Sequence, residues 1–208
     1  MTLKIKICGI TNLEDALAAC DAGADALGFV VAPEAKKRKR YIDPAEAKKI
    51  IASVPPFILT VGVVVNESLD SLKKLAEIFD RLQLHGEEDE ETCRMLGRRA
   101  FKAFRLSPDF DADRLRSWPG DLCLLDSWAP DSRGGTGITG DWTSARNIAS
   151  FKKVILAGGL TPENVGTAIR TVQPYAVDAS GSLEGAPGKK DHERIRKFIS
   201  EARAAAHA

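Results

Sequence analysis

The chain has 208 residues, 44% hydrophobic and 28% charged, which is the make-up of a soluble globular protein long enough to bury a sizeable core. Thirty basic against 29 acidic side chains leave a net charge of +1, so nothing in the charge balance favours nucleic acid or an acidic membrane surface as partner. No apolar run approaches the roughly 20 residues that span a bilayer, the first six residues lead into a strand without a signal-peptide core, and Cys8, Cys20, Cys93 and Cys123 have neither the density of a disulfide scaffold nor zinc spacing.

The first apolar run, Ile5-Lys6-Ile7-Cys8-Gly9-Ile10, predicts a strand. Leu13, Ala16, Leu17 and Cys20 then recur at helical spacing, with Thr11 or Asn12 as N-cap and Gly23 as the stop. A strand over 26–31 is followed by a helix over 44–53 capped by Asp43, and Pro55-Pro56 break the chain before a strand over 58–65. The alternation continues with helix 68–79, strand 82–85, helix 90–97, strand 101–105 and a short helix 112–118. Strand 122–126, helix 142–151, strand 154–157, helix 163–172, strand 176–178 and a helix over 192–205, capped by Asp191, complete the chain. Eight strand–helix units imply parallel strands with right-handed crossovers. Their even size favours a closed (β/α)8 barrel over an open doubly wound sheet. No linker or composition shift marks a boundary, so residues 1–208 are expected to form one α/β domain, cytoplasmic, with free thiols.

In such a barrel, ligands bind at the C-terminal ends of the strands. The polar residues there are Cys8, Arg40, Gln83, His85, Arg105, Asp126 and Asp178. Each also has a purely structural reading: a strand cysteine is commonly a small buried hydrophobe, and Asp126 after four apolar residues can cap its loop. Gly158-Gly159 end the seventh strand before a helix, and Ser180-Gly181 follow the eighth. Loops at these two places commonly hold a phosphate on backbone N–H groups, although a Gly-Gly pair also makes plain tight turns. The run Lys36-Lys37-Arg38-Lys39-Arg40 looks like a nucleic-acid patch, but a five-residue loop with only Tyr41 beside it reads as a solvated face or an active-site loop.

An ordered set of motifs spans nearly the whole chain: Lys6-Ile7-Cys8-Gly9-Ile10-Thr11, Val61-Gly62-Val63 with Asn66, Gln83-Leu84-His85-Gly86, Gly134-Gly135-Thr136-Gly137, residues 156–165 around Gly158-Gly159, and Pro187-Gly188-Lys189-Lys190-Asp191. Together they resemble the phosphoribosylanthranilate isomerase family. The resemblance implies an Amadori rearrangement of N-(5-phospho-β-D-ribosyl)anthranilate to 1-(2-carboxyphenylamino)-1-deoxy-D-ribulose 5-phosphate, a step of tryptophan biosynthesis that needs no metal or organic cofactor. It implies Asp126 as the acid that protonates the furanose ring oxygen and Cys8 as the base that takes the C2′ proton. It also implies Arg40 on the anthranilate carboxylate, Asp178 on a ribose hydroxyl, His85 beside the substrate, and Gly158, Gly159, Ser180 and Gly181 around the phosphate. The expected partner is this small molecule, with no nucleic acid and no membrane, on a monomer or homodimer.

Three departures from the family pattern stand out. The loop over 33–40 is longer, which makes Arg38 a competitor of Arg40; Ile138-Thr139-Gly140 replaces Lys-Thr-Phe; and Ser180-Gly181-Ser182 replaces Ser-Ser-Gly. The rivals are another phosphosugar barrel enzyme, such as indole-glycerol-phosphate synthase or a pentose-phosphate epimerase, and a non-catalytic barrel that binds a phosphorylated metabolite. The synthase needs a catalytic lysine and an N-terminal helical extension, and a metal-dependent epimerase needs more ligands than three histidines supply. A pure binder has no use for Cys8 and Asp126 together.

Overall fold

In the computed structural model, which describes residues 2–37, 39–127 and 142–206, eight parallel strands pair in chain order and close into a barrel. They are β1 (Lys4–Cys8), β2 (Ala26–Val30), β3 (Leu59–Val64), β4 (Arg81–Leu84), β5 (Ala100–Leu106), β6 (Leu122–Ser127), β7 (Lys153–Leu156) and β8 (Ala176–Ala179). Closure comes from β8 returning to β1, with Lys4 opposite Ala176 and Ile7 opposite Ala179. The helices are α1 (Leu13–Asp21), α2 (Pro44–Ile51), α3 (Leu69–Leu75), α4 (Glu90–Leu96), α5 (Arg114–Ser117), α6 (Trp142–Ala149), α7 (Val165–Val172) and α8 (His192–Ala206). This is the expected (β/α)8 barrel.

The helices start where short polar side chains take up free backbone N–H groups. Asn12, Asp43, Ser68 and Asp89 each accept a hydrogen bond from the first turn of α1, α2, α3 and α4. Asp191 accepts from the N–H groups of Glu193 and Arg194 in α8. Some helices are shorter than their apolar patterns. Helix α3 stops at Leu75 rather than 79, because the N–H groups of Glu77 and Ile78 turn to carbonyls three residues back. That tighter turn sets Phe79 against Phe29, ring centroids 5.8 Å apart. Helix α7 starts at Val165 rather than 163 because the Asn164 side chain is engaged in the preceding loop: it accepts from Thr161 N–H and donates to the Gly159 carbonyl.

Three features were not expected from the sequence. A 3-10 helix, Pro33–Lys37, forms in the lysine-rich loop after β2. After β8 come a 3-10 turn, Gly181–Leu183, and a small antiparallel pair of β9 (Glu184–Ala186) with β10 (Lys189–Lys190).

Successive strand side chains point to opposite faces. One set, including Ile5, Ile7, Leu27, Phe29, Leu82 and Leu84, packs into the large core cluster shared with the helices. The other set fills the barrel with Val61, Phe101, Ala103, Leu124, Ile155, Ala157 and Ala176. With both faces buried, the strands read as almost continuous apolar runs. Lys6, Cys8, Gln83, Asp126 and Asp178 share the inward parity, and all of them but Lys6 line the mouth of the barrel above this inner filling.

Candidate active site

A cavity of about 920 Å³ opens at the C-terminal ends of the strands. Its walls include Cys8, Arg40, His85, Asp126 and Asp178, together with the two glycine loops after β7 and β8. All nine residues expected from the sequence to form the site line this one cavity. Arg105 does not line it, although its Cα pairs with that of Asp126 in the sheet. Arg38 and the Gly134-Gly135-Thr136-Gly137 motif lie outside the described residues.

Cys8 ends β1 and is 7% exposed. Its sulfur occupies space left free by Gly28 on β2, where a Cβ would stand 2.7 Å from Sγ. Two residues earlier on the same face, Lys6 Nζ lies 2.9 Å from Asp178 Oδ1, both side chains almost fully buried. Burial holds the Cys8 thiol above the ordinary cysteine value; the ammonium groups of Lys6 and Lys190 oppose that rise and Asp178 adds to it. Burial also pushes the Asp178 carboxyl up, with the nearby Asp126 adding to it and Lys6 opposing. Lys6 loses by burial, yet Asp178 and Cys8 more than offset that and raise it above the ordinary lysine value.

Across the mouth, Asp126 is 5% exposed at the end of β6. His85 Nε2 lies 3.6 Å from Asp126 Oδ2, and His85 Nδ1 lies 2.9 Å from Gln83 Nε2. With the amide donating, Nδ1 is the acceptor and the ring proton sits on Nε2, facing the carboxyl group. Gln83 Oε1 is buried without a partner among the described residues.

Arg40 reaches the cavity from the far end of the lysine-rich loop, which is tied to β2 by a bridge between Val30 and Tyr41. Its Nε and Nη2 both donate to Glu184, at 2.6 and 3.1 Å. Lys190, its side chain fully buried, donates to the Ser180 carbonyl at 3.1 Å and pairs with Glu184 at 3.5 Å. Burial pulls Lys190 down, against the pull of Glu184. Two glycines allow this close approach. A Cβ on Gly181 would meet Arg40 Nη2 at 2.5 Å, and one on Gly188 would meet the Lys39 carbonyl oxygen at 2.1 Å. Gly158 and Gly159 both take the left-handed backbone conformation, φ +80° and +67°, that favours glycine. The Ser182 hydroxyl donates to the Leu160 carbonyl and joins their loop to the one after β8.

The sequence model of the family described as N-(5'phosphoribosyl)anthranilate (PRA) isomerase matches residues 5–201. The chain belongs to this family. A relative named N-(5'-phosphoribosyl)anthranilate isomerase, from Pelobacter propionicus, is 48% identical over 199 residues, covering 95% of this chain and 94% of the relative. A crystal structure of phosphoribosyl anthranilate isomerase in complex with reduced 1-(o-carboxyphenylamino)-1-deoxyribulose 5-phosphate is similar at TM-score 0.84 and 41% identity, over 98% of this chain and 100% of the other. A structure of mutually generated monomers of the dimeric phosphoribosylanthranilate isomerase from Thermotoga maritima is similar at TM-score 0.84 and 40% identity, over 98% and 100%.

Within this isomerase family member, three site residues escaped the sequence reading. Lys6 had a signal: it is a lysine of inward parity in an apolar strand, two residues before Cys8. Lys190 lay inside a quoted motif with nothing to distinguish it from Lys189. Glu184 had no local signal, because its position depends on the hairpin of β9 and β10. Among the described residues, no cluster of three or more His, Cys, Asp or Glu side chains is arranged to hold a metal ion, and no helix is long and apolar enough to cross a membrane.

Proposed function

We propose that the chain isomerises N-(5-phosphoribosyl)anthranilate to 1-(2-carboxyphenylamino)-1-deoxyribulose 5-phosphate, the step the family serves in tryptophan biosynthesis. The observation that carries this reading is the presence of Cys8 and Asp126 in the wall of one cavity, in a chain 48% identical to a relative of that name. Asp126 delivers a proton to the furanose ring oxygen, the ring opens, and a Schiff base forms. Cys8 thiolate then takes the C2′ proton, and the resulting enolamine tautomerises to the ketone. The His85 ring beside Asp126 supports the acid role, because it offers a hydrogen-bonding partner to the carboxylate left after proton transfer.

Arg40 binds the anthranilate carboxylate. Glu184 takes its Nε and one Nη2 proton, so the outer edge of the guanidinium is left for the substrate. Asp178 gives Oδ1 to Lys6, so its ribose contact falls to Oδ2. The phosphate sits on the loops holding Gly158-Gly159 and Ser180-Gly181, supported by the left-handed glycines and by the closeness of the two loops. The steps require only proton transfers, with no metal or organic cofactor.

The rival synthase reading asked for a lysine inside the barrel, and Lys6 is one; the family match weighs against that rival. The same reading takes residues 1–208 as one domain, supported by the closure of β8 on β1 and by the match over 5–201. Four free cysteines suit the reducing cytoplasm. Of the two oligomeric states considered, the homodimer is favoured by the similar phosphoribosylanthranilate isomerase from Thermotoga maritima, which is described as dimeric.

The test is incubation of the purified chain with the fluorescent anthranilate-derived substrate in excess chelator. Fluorescence decay with NMR identification of the ketose supports the reading. A substrate that outlasts the protein at its spontaneous rate overturns it.

A further inference from the structure

We infer that Lys6 is the positioning cation for proton abstraction: anchored on β8 by Asp178, its ammonium holds the negative charge of the Cys8 sulfur while the C2′ proton is taken. This rests on the reading of Cys8 as the base.

The placement follows from the strands. Residues 6 and 8 of β1 share the inward face, roughly 7 Å apart along the strand, a span that a lysine side chain covers. The register sets Lys6 directly opposite Asp178, and the two meet at 2.9 Å with 4% and 9% side-chain exposure. Stability gives little reason for such a pair. The barrel interior around it is apolar, and a buried ion pair is on average no better for stability than well-packed apolar groups of the same volume. Fixed charge beside a reactive sulfur is a reason.

Groups facing Cys8 can be taken element by element. β1 contributes Lys6, β8 contributes Asp178, and β10 contributes Lys190. At the adjoining position β2 has only Gly28. Arg40 and Glu184 lie further out, engaged with each other, and Asp126 and His85 act on Asp178 from the other side. Lys6 shares the inward face of β1 with Cys8 and draws the thiol down, whereas Asp178 stands across on β8 and pushes it up.

In the step itself, the C2′–H bond breaks and the proton passes to Sγ. Its electron pair forms the C1′–C2′ double bond, and the iminium π pair moves to nitrogen, giving a neutral enolamine. Lys6 remains an ammonium throughout and transfers no proton.

The experiment measures thiolate absorbance against pH for the full chain, taken as the difference from Cys8→Ala, in Lys6→Met, Lys6→Arg and Asp178→Asn. The midpoint is expected to rise by about one pH unit or more in Lys6→Met, to stay near the parent value in Lys6→Arg, and to fall in Asp178→Asn. At neutral pH, kcat of Lys6→Met should drop by about tenfold and recover as the pH rises. A purely structural role would not produce midpoint shifts of opposite sign in Lys6→Met and Asp178→Asn. If Lys6→Met does not fold, the double variant Lys6→Met/Asp178→Asn, which leaves no unpaired buried carboxylate, carries the test, with the rise expected relative to Asp178→Asn alone. An unmoved midpoint in a folded variant, alongside an inactive Cys8→Ala, overturns the role of Lys6 alone. Wild-type turnover in Cys8→Ala overturns the reading of Cys8 as base, whatever the midpoints do.

Discussion

Cys8 and Asp126 line one cavity from β1 and β6, and each is asked to move one proton. Asp126→Asn keeps the shape but carries no acidic proton, so ring opening should slow by about 10²–10⁴. Cys8→Ser exchanges a thiol for a far weaker acid, so C2′ deprotonation should fall by a factor of the same order, about 10²–10⁴. Both variants should still bind a product analogue. Single-turnover fluorescence separates the two steps, and near-parental turnover in Cys8→Ser would make Cys8 a packing residue only. In the proposed reaction Arg40 serves binding rather than chemistry. Arg40→Ala should raise KM with little change in kcat, by about 1.5–3 kcal/mol or roughly 10–150-fold. Steady-state kinetics on the variant checks this, and an unchanged kcat/KM would hand the carboxylate to another basic group of the loop. At this scale much was legible. Cys8, Asp126 and Asp178 stand at the ends of apolar strands, and period-two alternation alone turns them inward. Lys6 was legible by the same rule. Its consequence was not, because Asp178 lies 172 positions away in the chain.

Between elements, one buried carboxylate joins the first helix to the last unit of the barrel. Asp15 accepts hydrogen bonds from the Lys190 N–H, from Asn12 and from His192, at 2.8–2.9 Å. Burial by itself would push this carboxyl up, and those bonds outweigh it and hold it below the usual aspartate range. A lowered folded-state value means that the stabilisation is present above the unfolded-state value of about 3.9 and is lost as pH falls through the folded one. Asp15→Asn should therefore cost about 1.5–3 kcal/mol at neutral pH. Denaturation across the acid range should show its gap from the parent closing as pH falls, and a pH-independent gap would reject the ionic account. The β9–β10 turn offers a second test. Gly188 has φ +80° and no room for a Cβ against the Lys39 backbone. Gly188→Ala should push the lysine-rich loop outward and raise KM in steady-state assays, through the loss of Arg40's position. Unchanged KM would show that the two loops are uncoupled.

For the molecule as a whole, the regular alternation of eight units closes β8 on β1 and brings every C-terminal strand end to one rim. The opposite end of β3 begins just after Phe57, whose ring is 99% exposed. In the proposed homodimer this ring is the contact to test. Phe57→Glu should convert a dimer to a monomer in sedimentation velocity, with kcat nearly unchanged because the ring is not part of the cavity wall. A parent chain that sediments as a monomer would remove the homodimer from the reading.

The sequence by itself determined the order and kind of the eight strand–helix units, the caps Asp43 and Asp191, and the inward parity of Cys8 and Asp126. These depend on contacts within a few residues or on strict alternation, and both are written locally. Tertiary structure alone decided that Arg40 is gripped by Glu184, that Lys190 lies buried between Glu184 and Ser180, and that Lys6 stands between Asp178 and Cys8. Those pairings join residues up to 172 positions apart. They exist only once the barrel closes, because closure brings the first and last strands together and removes water from the charges held between them.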